Sequence, residues 1–231
     1  KLIIVGGSYI GLEFAQMFRR FGSEVTVIER GKRLLKKEDA STSNTVMQIL
    51  EKEEIAFKLD AECIGAKKMK DQVEVQYRCD GAEKTICGSA ILLATGRKSN
   101  ADLLHLENAK VEHDEKFNIT VNDVLETNQK DVFALGDCNG HGGFTHTAFN
   151  DFQIVNSYLN GGKRKLSDRI LNYALYIDPP MGRAGLSKDS AVKKGHDILY
   201  ARIEMKDVAR AREKGSWLSP CRPGSRTRLH A

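Results

Sequence analysis

The chain has 231 residues, 41% of them hydrophobic and 29% charged, which is enough apolar material for a packed core and excludes a disordered segment. The net charge of +5 is mild, and three of those charges (Arg222, Arg226 and Arg228) lie in the last sixteen residues, which hold no acid. That distribution argues against a nucleic-acid footprint, which appears as a basic stripe on a folded face. No apolar run reaches the length of a membrane span and no signal peptide opens the chain, so the expectation is a soluble, cytoplasmic protein without a membrane partner.

The chain opens on "KLIIVGGSYIGLEF". Leu2–Val5 is a short apolar run suited to a parallel strand buried on both faces. After the glycines, Leu12, Phe14, Ala15, Met17, Phe18 and Phe21 recur at helical spacing, with Gly22 as a C-terminal stop. A second strand, "EVTVIE", follows. A helix over "DASTSNTVMQILEKEE" then begins at Asp and Ser capping candidates. Strand–helix–strand–helix is the opening of a doubly wound α/β domain.

From about Ile55 the texture changes. "QVEVQYRCDGAEKTIC" is two alternating runs about Asp80-Gly81, a hairpin signal, and "SAILLATG" is a further buried strand. The first hundred residues therefore read as a nucleotide-binding domain with an inserted β-meander. Residues 101–135 contain "FNITVN" and end in an expected strand, "DVFALGD". A helix is expected from Thr145 to Leu159, stopping at Gly161-Gly162. From Tyr173, "YALYIDPPMGRAGLS" begins another small domain, with a capped short helix at "SKDSAVKKG" and a strand at "HDILYARIEM". The last sixteen residues, 216–231, differ in composition from all that precedes, and are expected to be an aberrant or disordered tail, read from a shifted frame near Gly215 or naturally disordered.

The five cysteines (63, 79, 87, 138 and 221) show no C-x-x-C spacing and read as reduced thiols. They are too scattered for a zinc site, and His141 and His146 have no acid or thiol beyond Cys138 placed to complete one, so no metal is expected.

The chemistry lies in the glycine turns. In a G-x-G-x-x-G turn the first glycine makes the tight bend, the second lets backbone approach a pyrophosphate, and the third packs helix on strand. Those positions are Gly6, Ser8 and Gly11, with Gly7, Tyr9 and Ile10 between them. Ser8 is small, and its hydroxyl can donate to a phosphate facing the helix N-terminus. Glu29 stands at the end of the second strand, eighteen residues after Gly11, where a carboxylate accepts from ribose hydroxyls and repels a 2′-phosphate. That favours NAD, while Arg30, Lys32 and Arg33 leave NADP open. "ATGRKSN" marks a second strand-to-glycine crossing at Gly96. "VFALGDC" delivers Gly136 and Asp137 to a carboxyl-terminal strand end, where ligands bind in open α/β sheets.

Taken together, "GGSYIGLE", "TGR" and "VFALGD", in this order and spacing, resemble the flavoprotein pyridine nucleotide–disulfide oxidoreductases, nearest the branch with mercuric reductase and lipoamide dehydrogenase. The resemblance spans residue 1 to about 214, and relatives in the mercuric reductase branch also carry Ser at the position of Ser8. It implies an FAD-dependent NAD(P)H oxidoreductase passing hydride to flavin and on to a disulfide or other small-molecule acceptor, with a homodimeric intact protein. It implies an NAD(P)-binding domain over 1–98, the return half of an FAD-binding domain over 99–168 and the start of an α+β interface domain over 169–215. Gly6, Ser8, Gly11, Glu29 and Gly96 would hold NAD(P), Glu13 would lie toward the nicotinamide, Asp137 would bind the ribityl chain of FAD, and the helix starting at Thr145 would face the flavin pyrimidine ring.

Two departures are minor: Ser99 stands where Pro is usual, and Cys138 follows the Gly-Asp. The family's C-x-x-x-x-C redox pair and His-x-x-x-x-Glu acid–base pair have no match here, so no catalytic residue is assigned and the chain is expected to be an inactive portion of a longer enzyme. A non-catalytic NAD(P)-binding module is the alternative. On the Glu29 argument, a Glu29→Ala variant is expected to lose NADH affinity by about tenfold or more and to tolerate NADPH, as read by nucleotide titration. Unchanged binding of both would remove Glu29 as the discriminator.

Overall fold

A computed structural model describes residues 1–213 and 223–226. The chain divides into two compact units, one formed by residues 1–95 with 174–231 and the other by residues 96–173.

The first unit is built on a parallel sheet. Strand β1 (Leu2–Val5) lies between β2 (Val25–Ile28) and β7 (Ala90–Leu93), with β3 (Ala56–Lys58) outside β2. In the register, Leu2 faces Val25 and Ala90, and Val5 faces Ile28 and Leu93. Every residue of β1 and β2 is buried, Thr26 included, as expected of a sheet covered on both faces. The period of two then assigns each residue to a layer. Leu2, Ile4, Val25 and Val27 pack beneath α1 (Tyr9–Arg20) and α2 (Ala40–Lys52), against Leu12, Ala15, Val46 and Leu50. Ile3 and Ile28 point the other way, onto Ala61, Val75 and Tyr77 of an antiparallel meander. The meander comprises β4 (Ala61–Lys68), β5 (Val73–Cys79) and β6 (Ala82–Gly88) in sequential order. Its β5–β6 turn places both Asp80 and Gly81 at positive φ, the conformation that Asp-Gly supplies in a two-residue hairpin.

Local signals set where α1 ends. Gly22 adopts φ +90°. Its N–H donates to the Arg19 carbonyl while that of Ser23 donates to Phe18, a Schellman close. The start of α2 departs from expectation. Asp39 occupies the N-cap position, but its carboxylate makes no capping bond and instead engages Arg183 at 3.2 Å. The ion pair outcompetes the cap because Asp39 is buried and a buried charge requires a partner.

Strand β8 (Asn172–Leu175) runs across residue 174 into the later segment of this unit and pairs with β9 (Met181–Ala184); α4 (Lys188–Lys193) follows, capped by the Ser187 hydroxyl accepting from Ser190 N–H at 3.0 Å. Leu175 and Ile177 join the core under α1 and α2. Gln16 on α1 is buried, and its amide clamps Asp178 reciprocally: Nε2 donates to the Asp178 carbonyl at 2.8 Å and Oε1 accepts Asp178 N–H at 2.7 Å. Strand β10 (Leu199–Arg202), followed by α5 (Ala209–Glu213), pairs antiparallel with β11 (Pro223–Arg226). Apart from β11, the tail expected to be aberrant, Cys221 included, lies outside the described residues.

The second unit is mostly turns around α3 (Thr145–Leu159), which has the expected bounds. Two apolar clusters hold it, one of Ala101, Leu106, Val111, Ile119 and Ala134, the other of Leu125, Ile154 and Val155. The strand expected at residues 132–135 does not form, and neither does one at 117–122. Each segment makes a single bridge, Phe133 with Glu126 and Ile119 with His113. The periodicity is present, but a strand is a ladder. Here the backbone bonds scatter over different partners instead: Val132 N–H closes a turn on Gln129, while Ala134 N–H goes to Leu125 and Ile119 N–H to Cys138.

Two predictions follow from the first unit's packing. A Cβ on Gly11 would overlap the Gly6 carbonyl oxygen, whereas one on Gly65 meets open space. Gly11→Ala is expected to destabilise by about 1–3 kcal/mol or more, and Gly65→Ala by under about 0.5 kcal/mol, in thermal or denaturant unfolding. The second concerns acid. The Arg20 guanidinium, 2.7 Å from Glu53, is the main cause that holds the Glu53 carboxyl below the usual carboxylate range. A lowered folded-state value gives stability that is present above the unfolded value and lost as the pH falls through the folded one. Glu53→Gln should therefore be less stable than the native chain at neutral pH and show a shallower loss in acid, measured by unfolding across pH 2–7.

Candidate functional site: two glycine turns with buried carboxylates beneath them

The first unit carries the fingerprint turn. β1 delivers Gly6 at φ +117°, where a side chain would collide with the Ala94 carbonyl at the end of β7. Gly7 is hemmed by Leu34, whose Cδ2 would lie 2.6 Å from an added Cβ. With Gly11 pressed on the Gly6 carbonyl, the three positions form a cradle floored by bare backbone. Ser8 is the N-cap residue of α1, extended and exposed, and its hydroxyl makes no capping bond. It is thus not committed to its own helix and stands beside the first-turn N–H groups of Tyr9, Ile10 and Gly11, which no intrahelical acceptor can reach. This set of donors at the positive end of a helix dipole fits a pyrophosphate.

Glu29 follows β2, as anticipated, but its carboxylate is already tied. Oε2 accepts the N–H of Gly7 and Oε1 that of Gly31, both at 2.7 Å. The two bonds fix the plane of the group and join the acidic residue to the glycine turn. Each oxygen keeps a further lone pair for a ribose hydroxyl. Arg30 and Lys32 are exposed, and Arg33 reaches the Lys36 carbonyl at 3.4 Å. Glu13 accepts the backbone N–H of Tyr176 at 2.8 Å.

The second unit carries Gly96, Gly136, Asp137 and Thr145. Gly96 has φ +122° with open space beside it. Gly136 has φ +79° and opens a short 3-10 turn, Gly136–Asn139. Asp137 is exposed and paired with Arg97 at 2.7 Å, and Arg97 also donates to the Gly143 carbonyl at 2.8 Å. Arg97 therefore links the crossing at Gly96, the Gly-Asp turn and the loop that leads into α3. Thr145 begins α3 and is exposed; the Thr147 N–H already donates to the Phe144 carbonyl at 3.0 Å, which leaves those of Thr145 and His146 for an acceptor at the start of this fifteen-residue helix. A carboxylate acceptor, a guanidinium and a helix N-terminus suit a hydroxylated, anionic partner such as the flavin dinucleotide. A ribityl hydroxyl reaching Asp137 would share it with Arg97.

Sequence reasoning missed the groups beneath these turns. Asp151 is 2% exposed, and its Oδ2 accepts both Gly136 N–H and the Asn139 amide at 2.8 Å, while Arg169 pairs with its other oxygen. It sits on the stripe Thr147, Asp151, Ile154, Val155, and an acid on an otherwise inward-facing stripe is the signal that could have found it. Glu38 is also 2% exposed and binds Tyr9 and Arg183; nothing in "LKKED" distinguishes it from a solvated charge run.

Cys138, half-buried, donates to the Leu135 carbonyl, and burial pushes its thiol pKa up, which disfavours the reactive thiolate. Cys63, Cys79 and Cys87 are likewise free thiols. His146 is hydrogen-bonded to the Asn172 carbonyl at 2.7 Å and stacks on Phe144. Among the described residues no group of three or more His, Cys, Asp or Glu is arranged to hold a metal, and no helix is long and apolar enough to cross a membrane.

Comparison with known proteins agrees with this architecture. Residues 1–151 match the family described as pyridine nucleotide-disulphide oxidoreductase. The probable pyridine nucleotide-disulfide oxidoreductase RclA of Escherichia coli is 33% identical over 90% of this chain and 47% of its own length. The mercuric reductase of Lysinibacillus sphaericus is 30% identical over 91% of this chain and 39% of its own. Among solved structures, a Cu(II) complex of the HOCl-induced flavoprotein disulfide reductase RclA from E. coli superposes with a TM-score of 0.84, at 30% identity, covering 98% of this chain and 51% of that one. The chain spans about half the length of the curated relatives it matches. With a family match over residues 1–151 and a flavoprotein disulfide reductase architecture throughout, the chain belongs to the pyridine nucleotide-disulphide oxidoreductase family.

Proposed function

We propose that this chain is the dinucleotide-binding portion, with part of the flavin-binding portion, of an FAD-dependent NAD(P)H oxidoreductase whose terminal acceptor is a disulfide or another small oxidant. The observation that carries the reading is the glycine cradle: three positions with no room for a side chain, Gly6 and Gly11 closed off by backbone and Gly7 by Leu34 and Glu29, at the N-terminus of a helix, with an acidic residue hydrogen-bonded into the turn. Such a surface costs packing and backbone freedom, and close approach of a pyrophosphate is what it accommodates.

In this reading Ser8 and the first-turn N–H groups of α1 bind the pyrophosphate. Glu29, oriented by Gly7 and Gly31, accepts from the adenosine ribose and favours NAD. Arg30 and Lys32, exposed beside it, are the groups that would receive the 2′-phosphate of NADP. Asp137, Gly136 and the start of α3 at Thr145 hold the ribityl and pyrimidine parts of FAD. Flavin, when bound, supplies the two-electron relay between nicotinamide and acceptor. No residue here is assigned to proton transfer or to the disulfide step, so this chain alone is expected to bind dinucleotide without turnover, and the intact protein to act as a homodimer. A non-catalytic dinucleotide-binding module is the second reading, favoured by the fact that the whole fingerprint lies inside one compact unit.

NADH titration followed by nicotinamide fluorescence tests the site. The chain should bind NADH more tightly than NADPH, and Ser8→Asp, which sets a carboxylate against the pyrophosphate, should weaken NADH by about tenfold or more. Equal NADH affinity in the two proteins would show that the pyrophosphate does not lie at Ser8.

A further inference from the structure

The residues behind the fingerprint turn point beyond it. Tyr9 is the first residue of α1, and its ring packs on the core while its phenol O–H donates to Glu38 Oε1 at 2.7 Å. Glu38 is buried. Its second oxygen, Oε2, receives Arg183 of β9 through Nε at 2.8 Å and Nη2 at 2.5 Å, and Arg183 also reaches Asp39. The loop that carries Glu38 is itself seated on the glycine turn. Leu35 N–H donates to the Gly7 carbonyl at 3.0 Å, Leu34 fills the space a Gly7 side chain would need, and Glu38 N–H donates back to Leu35 at 2.7 Å.

We propose that Arg183 is a positioning residue of the dinucleotide site, acting through Glu38 to fix Tyr9 and with it the first turn of α1. This rests on the dinucleotide reading given above. One carboxylate with a donor on each of its two oxygens is restrained in rotation, and a guanidinium whose Nε and Nη2 both donate to Oε2 holds that oxygen in a more fixed direction than a single ammonium contact. Glu38 and Asp39 are adjacent buried acids, and Arg183 is the cation that both of them bind. The fork thus has two tasks. It compensates buried charge, and it aims Glu38 at Tyr9. Only the second bears on the ligand. The helix N-terminus offers N–H groups to a pyrophosphate only while its first turn is held against the strand end, and Tyr9, through Glu38, ties that turn to the loop whose Leu35 N–H donates to the Gly7 carbonyl. A residue some 145 positions from Glu38 in the chain thereby becomes part of the nucleotide site.

The test uses the full 231-residue chain, with NADH and ADP-ribose as probes. ADP-ribose shares the pyrophosphate and lacks the nicotinamide. Tyr9→Phe removes one hydroxyl and leaves the Glu38–Arg183 pair intact. It is expected to raise the Kd of both probes by roughly tenfold, with the cooperative unfolding transition retained. Arg183→Lys, which keeps the charge without the fork, should fall between the native protein and Arg183→Gln. If Arg183→Lys lowers the unfolding temperature but leaves both Kd values at the native level well below that temperature, and Tyr9→Phe does the same, the network is structural only and the positioning role is overturned. If the native chain binds neither NADH, NADPH nor ADP-ribose, the dinucleotide reading itself fails and carries this role with it.

Discussion

Everything in the first unit depends on how closely α1 approaches the end of β1. Gly11 lies against the Gly6 carbonyl and Gly6 against that of Ala94, so strand, helix and the neighbouring β7 meet backbone to backbone. That contact sets the angle at which α1 crosses the sheet. It decides that Leu12 and Ala15 enter the core with Ile4, and it exposes the first-turn N–H groups at the strand end. A methyl group in the wrong place would separate these elements and remove both the packing and the exposure of that turn. Fold and site share one steric constraint.

A second theme recurs in the two units. Each candidate cofactor turn rests on a buried carboxylate that binds the turn with one oxygen and an arginine from later in the chain with the other. Glu38 holds Tyr9 and Arg183, while Asp151 holds the Gly136 N–H and Arg169. A buried carboxylate contributes little net stability unless its partners are complete, but it orients its neighbours sharply because its hydrogen bonds are strong and directional in a low-dielectric setting. The Asp151 site is not wholly satisfied within the described residues, since Arg169 Nη1 is buried with no hydrogen-bond partner. Such groups make sense where a turn must be held to a fraction of an ångström against a ligand.

Much of this was legible in the sequence. The apolar run at Leu2–Val5, the strand at Val25–Ile28, the Asp80-Gly81 hairpin, the Gly22 stop and the α3 bounds each rest on interactions within a few residues, or on a periodicity that any covering layer satisfies. Gly6, Ser8, Gly11 and Glu29 were visible because their spacing is a geometric requirement of one turn. Residues 132–135 show where local pattern fails: alternation allows a strand, but pairing along its whole length must come from another segment. Asp39 shows the same at the level of a side chain, with capping chemistry diverted to Arg183.

What the sequence by itself determined is therefore the class of fold, the position of the glycine cradle and the acid that faces it, because these depend on short-range sterics and on residue types that few conformations tolerate. What only the tertiary structure decided is which charges are spent inside. Glu38 looks like a solvated acid in the one-dimensional string and Gln16 like a surface amide, and the stripe that turns Asp151 inward does not name its partner. Their partners (Arg183, Arg169 and Asp178) lie 18 to 162 residues away. Pairing over such separations is fixed by how layers pack, and desolvation then makes each of those pairings obligatory.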